Sequence, residues 1–277
     1  MNLNQITRET CIVRNTSSRK GRTLAVGPGQ TASRFLRYGR IILDDGDAPI
    51  HVETGPLETG LICLNGAATV KVAGATTPGG FTLARYDSLY VPRGASFDVT
   101  PGPDGCDLAE IAAPVEHAYP VQFVAFKTVQ QDPGLHLNVG NASTHREVSI
   151  LIGKNVEAGR ILAGVTFSAP GNWTSWPPHE HAAMLEEAYL YIDMPAPSFG
   201  LQLVYTDTNE PEIATVVREG DVVLMPQGYH PNVAAPGGSI NFLWMMAANR
   251  EHEDRRYGVV NVQPEFAAVP SGLDKGR

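Results

Sequence analysis

One eight-residue pattern occurs twice in this chain, as Asp87-Ser-Leu-Tyr-Val-Pro-Arg-Gly94 and as Asp221-Val-Val-Leu-Met-Pro-Gln-Gly228. Each copy has an acid, four mainly apolar positions and then Pro-x-Gly, which reads as a buried strand running into a tight turn. The alternating Glu187-Ala-Tyr-Leu-Tyr-Ile192, a strand pair after it, the second copy and a last strand Ser239 to Ala247 repeat the order of parts found in the first half. An internal duplication follows, and it confines the chain to two similar halves. The expected division is an N-terminal unit at residues 1–130 and a C-terminal unit at residues 131–277, joined by a connector from roughly Ala113 to Thr144.

The halves are expected to be all-β. Among 277 residues there are 28 Gly and 21 Pro and little helical periodicity, a balance suited to short strands and tight turns. Strands are expected at Thr10 to Arg14, Ser33 to Leu43, Thr82 to Tyr90 and Ser96 to Thr100. Asn65-Gly66, between the apolar run from Glu58 and the alternating Ala68 to Ala73, predicts a hairpin turn. Pro101-Gly-Pro-Asp-Gly105 predicts another turn before Leu108 to Ala112, and a frayed tail is expected from Ala267 onward.

Several function classes are disfavoured. A formal net charge of −8 without a basic block argues against nucleic-acid binding. Met1 to Asn15 is polar with Arg8 and Arg14, unlike a signal peptide, and no stretch approaches the ~18 apolar residues of a membrane span. Cys11, Cys63 and Cys106 are scattered and odd in number, which predicts free thiols in a cytoplasmic protein.

The chemistry concentrates in the second half. On an extended segment His179 and His181 leave the same face, roughly 6 to 7 Å apart at the base, and can converge on one ion. The alternation from Glu187 puts Glu187, Tyr189 and Tyr191 on one face, so strand phase selects Glu187 over Glu186 as the ligand carboxylate. His230, delivered by the second Pro-x-Gly turn, completes a set of three imidazoles and a carboxylate. The first copy lacks His-x-His and has Ser96 where the second has His230, so it is expected to be metal-free. Glu180 should point away from the ion. His51, His117, His136, His145 and His252 read as structural, and Gln202, Arg146 and Arg218 read as surface residues before substrate contacts. The ligand set admits one divalent ion, Zn, Mn, Fe or Ni, with open positions for Lewis-acid work and a residual positive charge that suits an anionic substrate. Trp173, Trp176, Tyr189, Tyr191 and Tyr229 could wall a sugar pocket or simply fill a core.

Pro177-Pro-His-Glu-His181, Glu186-Glu-Ala-Tyr-Leu-Tyr191, Phe199-Gly-Leu-Gln-Leu-Val-Tyr-Thr-Asp207 and above all Gly220 to Gly237, with Gly-Tyr-His-Pro and Ala-Ala-Pro-Gly, resemble the 5-deoxy-glucuronate isomerases of inositol catabolism. The wider relatives are the 5-keto-4-deoxyuronate isomerases, all bicupins. The resemblance implies two tandem cupin barrels, a metal held by His179, His181, Glu187 and His230, and aldose–ketose interconversion of a sugar acid. Two departures stand out: the loop from His181 to Glu187 is closer to the uronate-isomerase length, and the charged run Ala248 to Arg256 differs from the inositol enzyme. Glu186, Tyr189 and Tyr191 are the catalytic candidates, and Trp176, Gln202 and Tyr229 the substrate-binding ones. A 5-keto-4-deoxyuronate isomerase, another sugar-acid isomerase, an Fe(II)-dependent cupin dioxygenase and a non-catalytic sugar-binding cupin are the alternatives. Expected partners are the sugar acid and further copies of the chain, with no nucleic acid and no membrane.

Overall fold

A computed structural model describes residues 5–270 and 272. In the first half, an eight-stranded antiparallel sheet is built around two long strands, Leu57–Val72 and Ser96–Pro114, paired with each other along most of their length. Their register shifts between Cys63 and Asn65 and again between Gly66 and Ala68. These bulges bend both strands together, so one pair of strands serves both layers of a sandwich. The expected hairpin at Asn65-Gly66 and the expected turn at Pro101 to Gly105 are therefore corrected: both lie inside continuous strands. The turn chemistry is real but is spent on the bend. Gly66 and Gly105 have φ of +65° and +73°, and a Cβ on Gly66 would meet the Gly105 carbonyl oxygen at 2.3 Å, so the crossing needs glycine on steric grounds.

The second half pairs a seven-stranded sheet with a four-stranded one. The larger sheet runs Ile12–Val13, Val222–Met225, Leu185–Tyr191, Phe242–Ala248, Ile161–Ser168, Arg146–Ile152 and His136–Val139 in spatial order. The smaller contains Trp173–Thr174, Asn232–Ala234, Gly200–Val204 and Ile213–Val217. The first strand of the larger sheet comes from the far end of the chain: Ile12 and Val13 pair with Val223 and Val222. Residues 33–36, expected as strand, form instead a non-strand approach to Arg37–Leu43.

One hydrophobic core lies within the first sandwich, around Leu61, Leu89, Phe97 and Leu108. The other fills the second sandwich and continues across to Leu36, Tyr38, Tyr90 and Ile111 of the first half. Cys11, Cys63 and Cys106 are free and buried, and burial pushes the Cys63 thiol up to about 12 and that of Cys106 to about 11. No helix among the described residues is long and apolar enough to cross a membrane. Of the tail expected from Ala267, residues 271 and 273–277 lie outside the described residues. So do residues 1–4 of the polar N-terminal segment.

Candidate metal centre

His179 sits in the two-residue strand His179–Glu180, which pairs with Asn261–Val262 from the chain's last segment. Glu187 leaves the central strand Leu185–Tyr191, and His230 follows the turn at Gly228, whose φ is +90°. All four ligand candidates are buried. Each imidazole is oriented by a backbone carbonyl: Nδ1 of His179 donates to Pro177 O at 2.8 Å, that of His181 to Leu185 O at 3.1 Å, and that of His230 to Gly228 O at 2.9 Å. A carbonyl only accepts, so Nδ1 carries the proton and Nε2 of the neutral ring carries a lone pair.

Those lone pairs face a carboxylate. Nε2 of His181 and Nε2 of His230 lie 3.0 and 3.1 Å from the same oxygen, Oε2 of Glu187. Three electron-rich atoms therefore meet with no hydrogen between them unless a ring takes a second proton. His230 Nε2 has no hydrogen-bond partner at all. His179 stands beside them, its ring centroid 5.0 Å from that of His230. Burial, reinforced by His230, pushes His179 down to about 3, so this ring stays neutral. Burial opposes charge on Glu187, yet the facing imidazoles hold its carboxyl at about 2. Burial lowers the pKa of the His181 ring, but the Glu187 carboxylate at 3.0 Å outweighs it and raises that pKa. A proton held between the two is what a divalent cation would replace, with the carbonyl-bound Nδ1–H groups turning each Nε2 toward it. Zn, Mn, Fe and Ni remain compatible with this donor set.

His179, His181 and Glu187 of the cluster line a small cavity of about 50 Å³. Tyr189 lines it, stacked on Phe242 at 4.1 Å, with its hydroxyl 2.8 Å from Ser175 Oγ. Burial, and after it the charge of Glu187, raises the Tyr189 phenol well above its ordinary value, so the group stays protonated. Tyr257 to Val260 contribute a further wall, with the Tyr257 ring stacked on Trp244 at 5.1 Å.

Several expectations are corrected by this geometry. Glu186 does not reach the cavity. It points to the opposite face of the sheet, where its carboxylate accepts backbone hydrogen bonds from residues 34–36. Tyr191 shares the face of Glu187 but lies too far along the strand, and its hydroxyl donates to Gln202 Oε1 at 2.5 Å. Gln202 in turn donates to the backbone oxygen of His230 at 3.0 Å, so the pair props the ligand from beneath and does not line the cavity. The Trp176 ring lies between Trp173 and Phe266, and the Tyr229 ring lies 5.7 Å from that of Tyr205, so both fill space outside it. Glu180 points away, as expected, accepting from Asn261 Nδ2 at 2.6 Å and Ala182 N at 2.8 Å.

Arg146, expected at the surface, is buried. It is 3 % exposed and is the single Lys or Arg on the cavity wall among the described residues. Its guanidinium is held by Thr144 O at 3.0 Å and Trp176 O at 2.8 Å. Burial lowers its pKa from the usual arginine value. Arg146-Glu-Val-Ser149 alternates, and that alternation was the available signal that Arg146 shares a face with Val148. The segment after Ala248 gave no periodic signal, so Tyr257 was missed.

The chain matches the KduI/IolB family over residues 11–269. Among curated relatives it is 28 % identical to the 5-deoxy-glucuronate isomerase of Geobacillus kaustophilus over 250 residues, covering 82 % of this chain and 85 % of the relative. It is 30 % identical to that of Shouchella clausii over 244 residues, covering 79 % and 88 %. Among solved structures, an IolB-like protein from Salmonella typhimurium LT2 superposes with a TM-score of 0.79 at 23 % identity, covering 93 % of this chain and 98 % of that one. Bacillus subtilis oxalate decarboxylase superposes at 0.62 with 11 % identity, covering 98 % and 84 %, a likeness of fold alone. With duplicated sandwiches, and a match running from the first helix to the segment behind the metal site, the chain is an all-β bicupin that belongs to the KduI/IolB family.

Proposed function

We propose that the protein is a divalent-metal-dependent aldose–ketose isomerase of a deoxy-uronate, converting 5-deoxy-glucuronate to 5-dehydro-2-deoxy-gluconate. The observation that carries this reading is a buried cluster in which ligand atoms of His181, Glu187 and His230 converge with the His179 ring beside them, next to a cavity that His179, His181 and Glu187 share with a buried guanidinium. The names of the relatives supply the sugar acid. His179, His181, Glu187 and His230 would hold the ion, whose chemistry is Lewis-acid polarisation of the substrate's carbonyl and neighbouring hydroxyl. Arg146 would take the carboxylate at the end of the sugar remote from that carbonyl, through charge-assisted hydrogen bonds. Tyr189, protonated and steadied by Ser175, would donate to the oxygen on which negative charge develops.

Aldose–ketose conversion also needs hydrogen to move between adjacent carbons. Beyond Glu187, His179 and His181, the cavity wall holds no carboxylate or imidazole among the described residues. That composition supports a hydride shift from the hydroxyl-bearing carbon to the aldehyde carbon, with a proton passing between the two oxygens. The zinc- or manganese-loaded protein is expected to convert 5-deoxy-glucuronate in D₂O, without oxygen, to a ketose carrying no carbon-bound deuterium. Deuterium on the receiving carbon would sink the hydride route. Turnover only of 5-keto-4-deoxyuronate would reassign the substrate, and oxygen-dependent turnover would replace isomerisation by dioxygenase chemistry.

A further inference from the structure

We propose that the N-terminal half positions the metal-binding carboxylate, through one of two reciprocal buried glutamates, Glu186. The inference rests on reading His179, His181, Glu187 and His230 as metal ligands.

Glu186 and Glu58 are both fully buried, and each reaches into the other half of the molecule. Glu186 accepts from three consecutive backbone N–H groups of the first half: Arg34 at 2.8 Å, Phe35 at 2.7 Å, and Leu36. Glu58 accepts from three consecutive N–H groups of the second: Gly159 at 2.7 Å, Arg160 at 2.6 Å and Ile161 at 2.8 Å. Each triplet leads into a strand, Arg37–Leu43 or Ile161–Ser168.

Strand register shows that the two glutamates are equivalent positions of the duplication. Thr59 lies opposite Val91, and Glu187 lies opposite Met225. Val91 and Met225 are the fourth apolar positions of the repeated motif. Glu58 therefore corresponds to Glu186, and Thr59 stands where the second half has the ligand Glu187. Both copies keep the clamp, but only one carries a ligand beside it. The clamp thus serves the junction of the halves in general and acquires a second consequence at Glu186.

That consequence follows from strand geometry. Adjacent side chains leave opposite faces of one backbone, so fixing Glu186 from below fixes the height and twist at which Glu187 leaves above. The other delivering strand is also braced from the N-terminal side, since Ile12 and Val13 pair with Val223 and Val222 a few residues before His230. Supports that orient a ligand without touching the metal typically govern affinity by about 10- to 100-fold.

The symmetric site is the control. Glu186→Gln and Glu58→Gln keep side-chain shape but turn an amide NH₂ toward N–H donors, and both are expected to lower the Tm of the metal-free protein to a comparable degree. Zn(II) affinity, read by chelator competition, should weaken about 10- to 100-fold in Glu186→Gln and stay within about twofold of wild type in Glu58→Gln, whose carboxylate braces Ile161–Ser168, a strand that carries none of the four proposed ligands. Equal zinc affinity in Glu186→Gln and wild type, or equal weakening in both variants, overturns the proposal. If Glu186→Gln does not fold, Glu186→Asp and Glu58→Asp, which shorten the reach by one methylene, make the same comparison. Glu187→Gln run alongside separates the two readings. Zinc lost there but kept in Glu186→Gln refutes only the positioning role, while zinc kept at wild-type affinity in Glu187→Gln refutes the ligand assignment and the positioning role with it.

Discussion

Glu187→Gln is expected to abolish stoichiometric retention of a divalent ion and to lower kcat/KM by about 10³-fold or more, since it removes the only anionic ligand of the set. The same substitution should leave the metal-free protein close in stability to metal-free wild type, the lost carboxylate interactions being offset by new ones. Oε2 of Glu187 faces Nε2 of His181 and Nε2 of His230 at 3.0 and 3.1 Å, and an amide NH₂ there can donate to both rings in their neutral form. Each such hydrogen bond contributes about 0.5 to 1.5 kcal/mol. Metal analysis after dialysis and a thermal melt in chelator read the two effects separately. A melt well below that of wild type would mean that the carboxylate is needed for folding, and metal kept at full occupancy would remove Glu187 from the ligand set.

Arg146→Met tests the anion end of the cavity. Losing a charge-assisted pair with the substrate carboxylate should cost about 1.5 to 3 kcal/mol of binding, or about 10- to 150-fold in kcat/KM. Most of the loss should appear in KM, because the carboxylate binds alike in ground and transition states and takes no part in the hydrogen transfer. Metal content should be unchanged. Stability should fall too, by about 1 to 3 kcal/mol, because Thr144 O and Trp176 O lose their donor. The decisive comparison is a neutral deoxy-aldose lacking the carboxylate. Wild type should strongly prefer the acid and Arg146→Met should not, and a preference that survives the substitution would place carboxylate recognition elsewhere.

Much of this molecule is local in origin and could be read as such. The His179-x-His181 pair and the choice of Glu187 over Glu186 depend only on the two-residue period of a strand. The duplicated Asp-x₄-Pro-x-Gly motif depends only on a strand meeting a turn. Other readings failed because local chemistry served a longer-range purpose. Asn65-Gly66 has hairpin composition, yet its glycine bends a strand whose partner continues past it. Tyr191 and Gln202 lie in the right neighbourhood, but they bond to each other and to the backbone oxygen of His230, so they support that ligand candidate and are absent from the cavity wall.

The sequence by itself determined the all-β class, and side-chain alternation and turn chemistry, which act within a few residues, are what put His179, His181, Glu187 and His230 forward as the proposed ligand set. Only the tertiary structure decided which groups share the cavity and what faces Glu186. The backbone of residues 34–36 meets Glu186 from about 150 residues away, Arg146 is held at the cavity by Trp176 O and Tyr257 by the Trp244 ring, and no periodicity in the chain encodes such meetings.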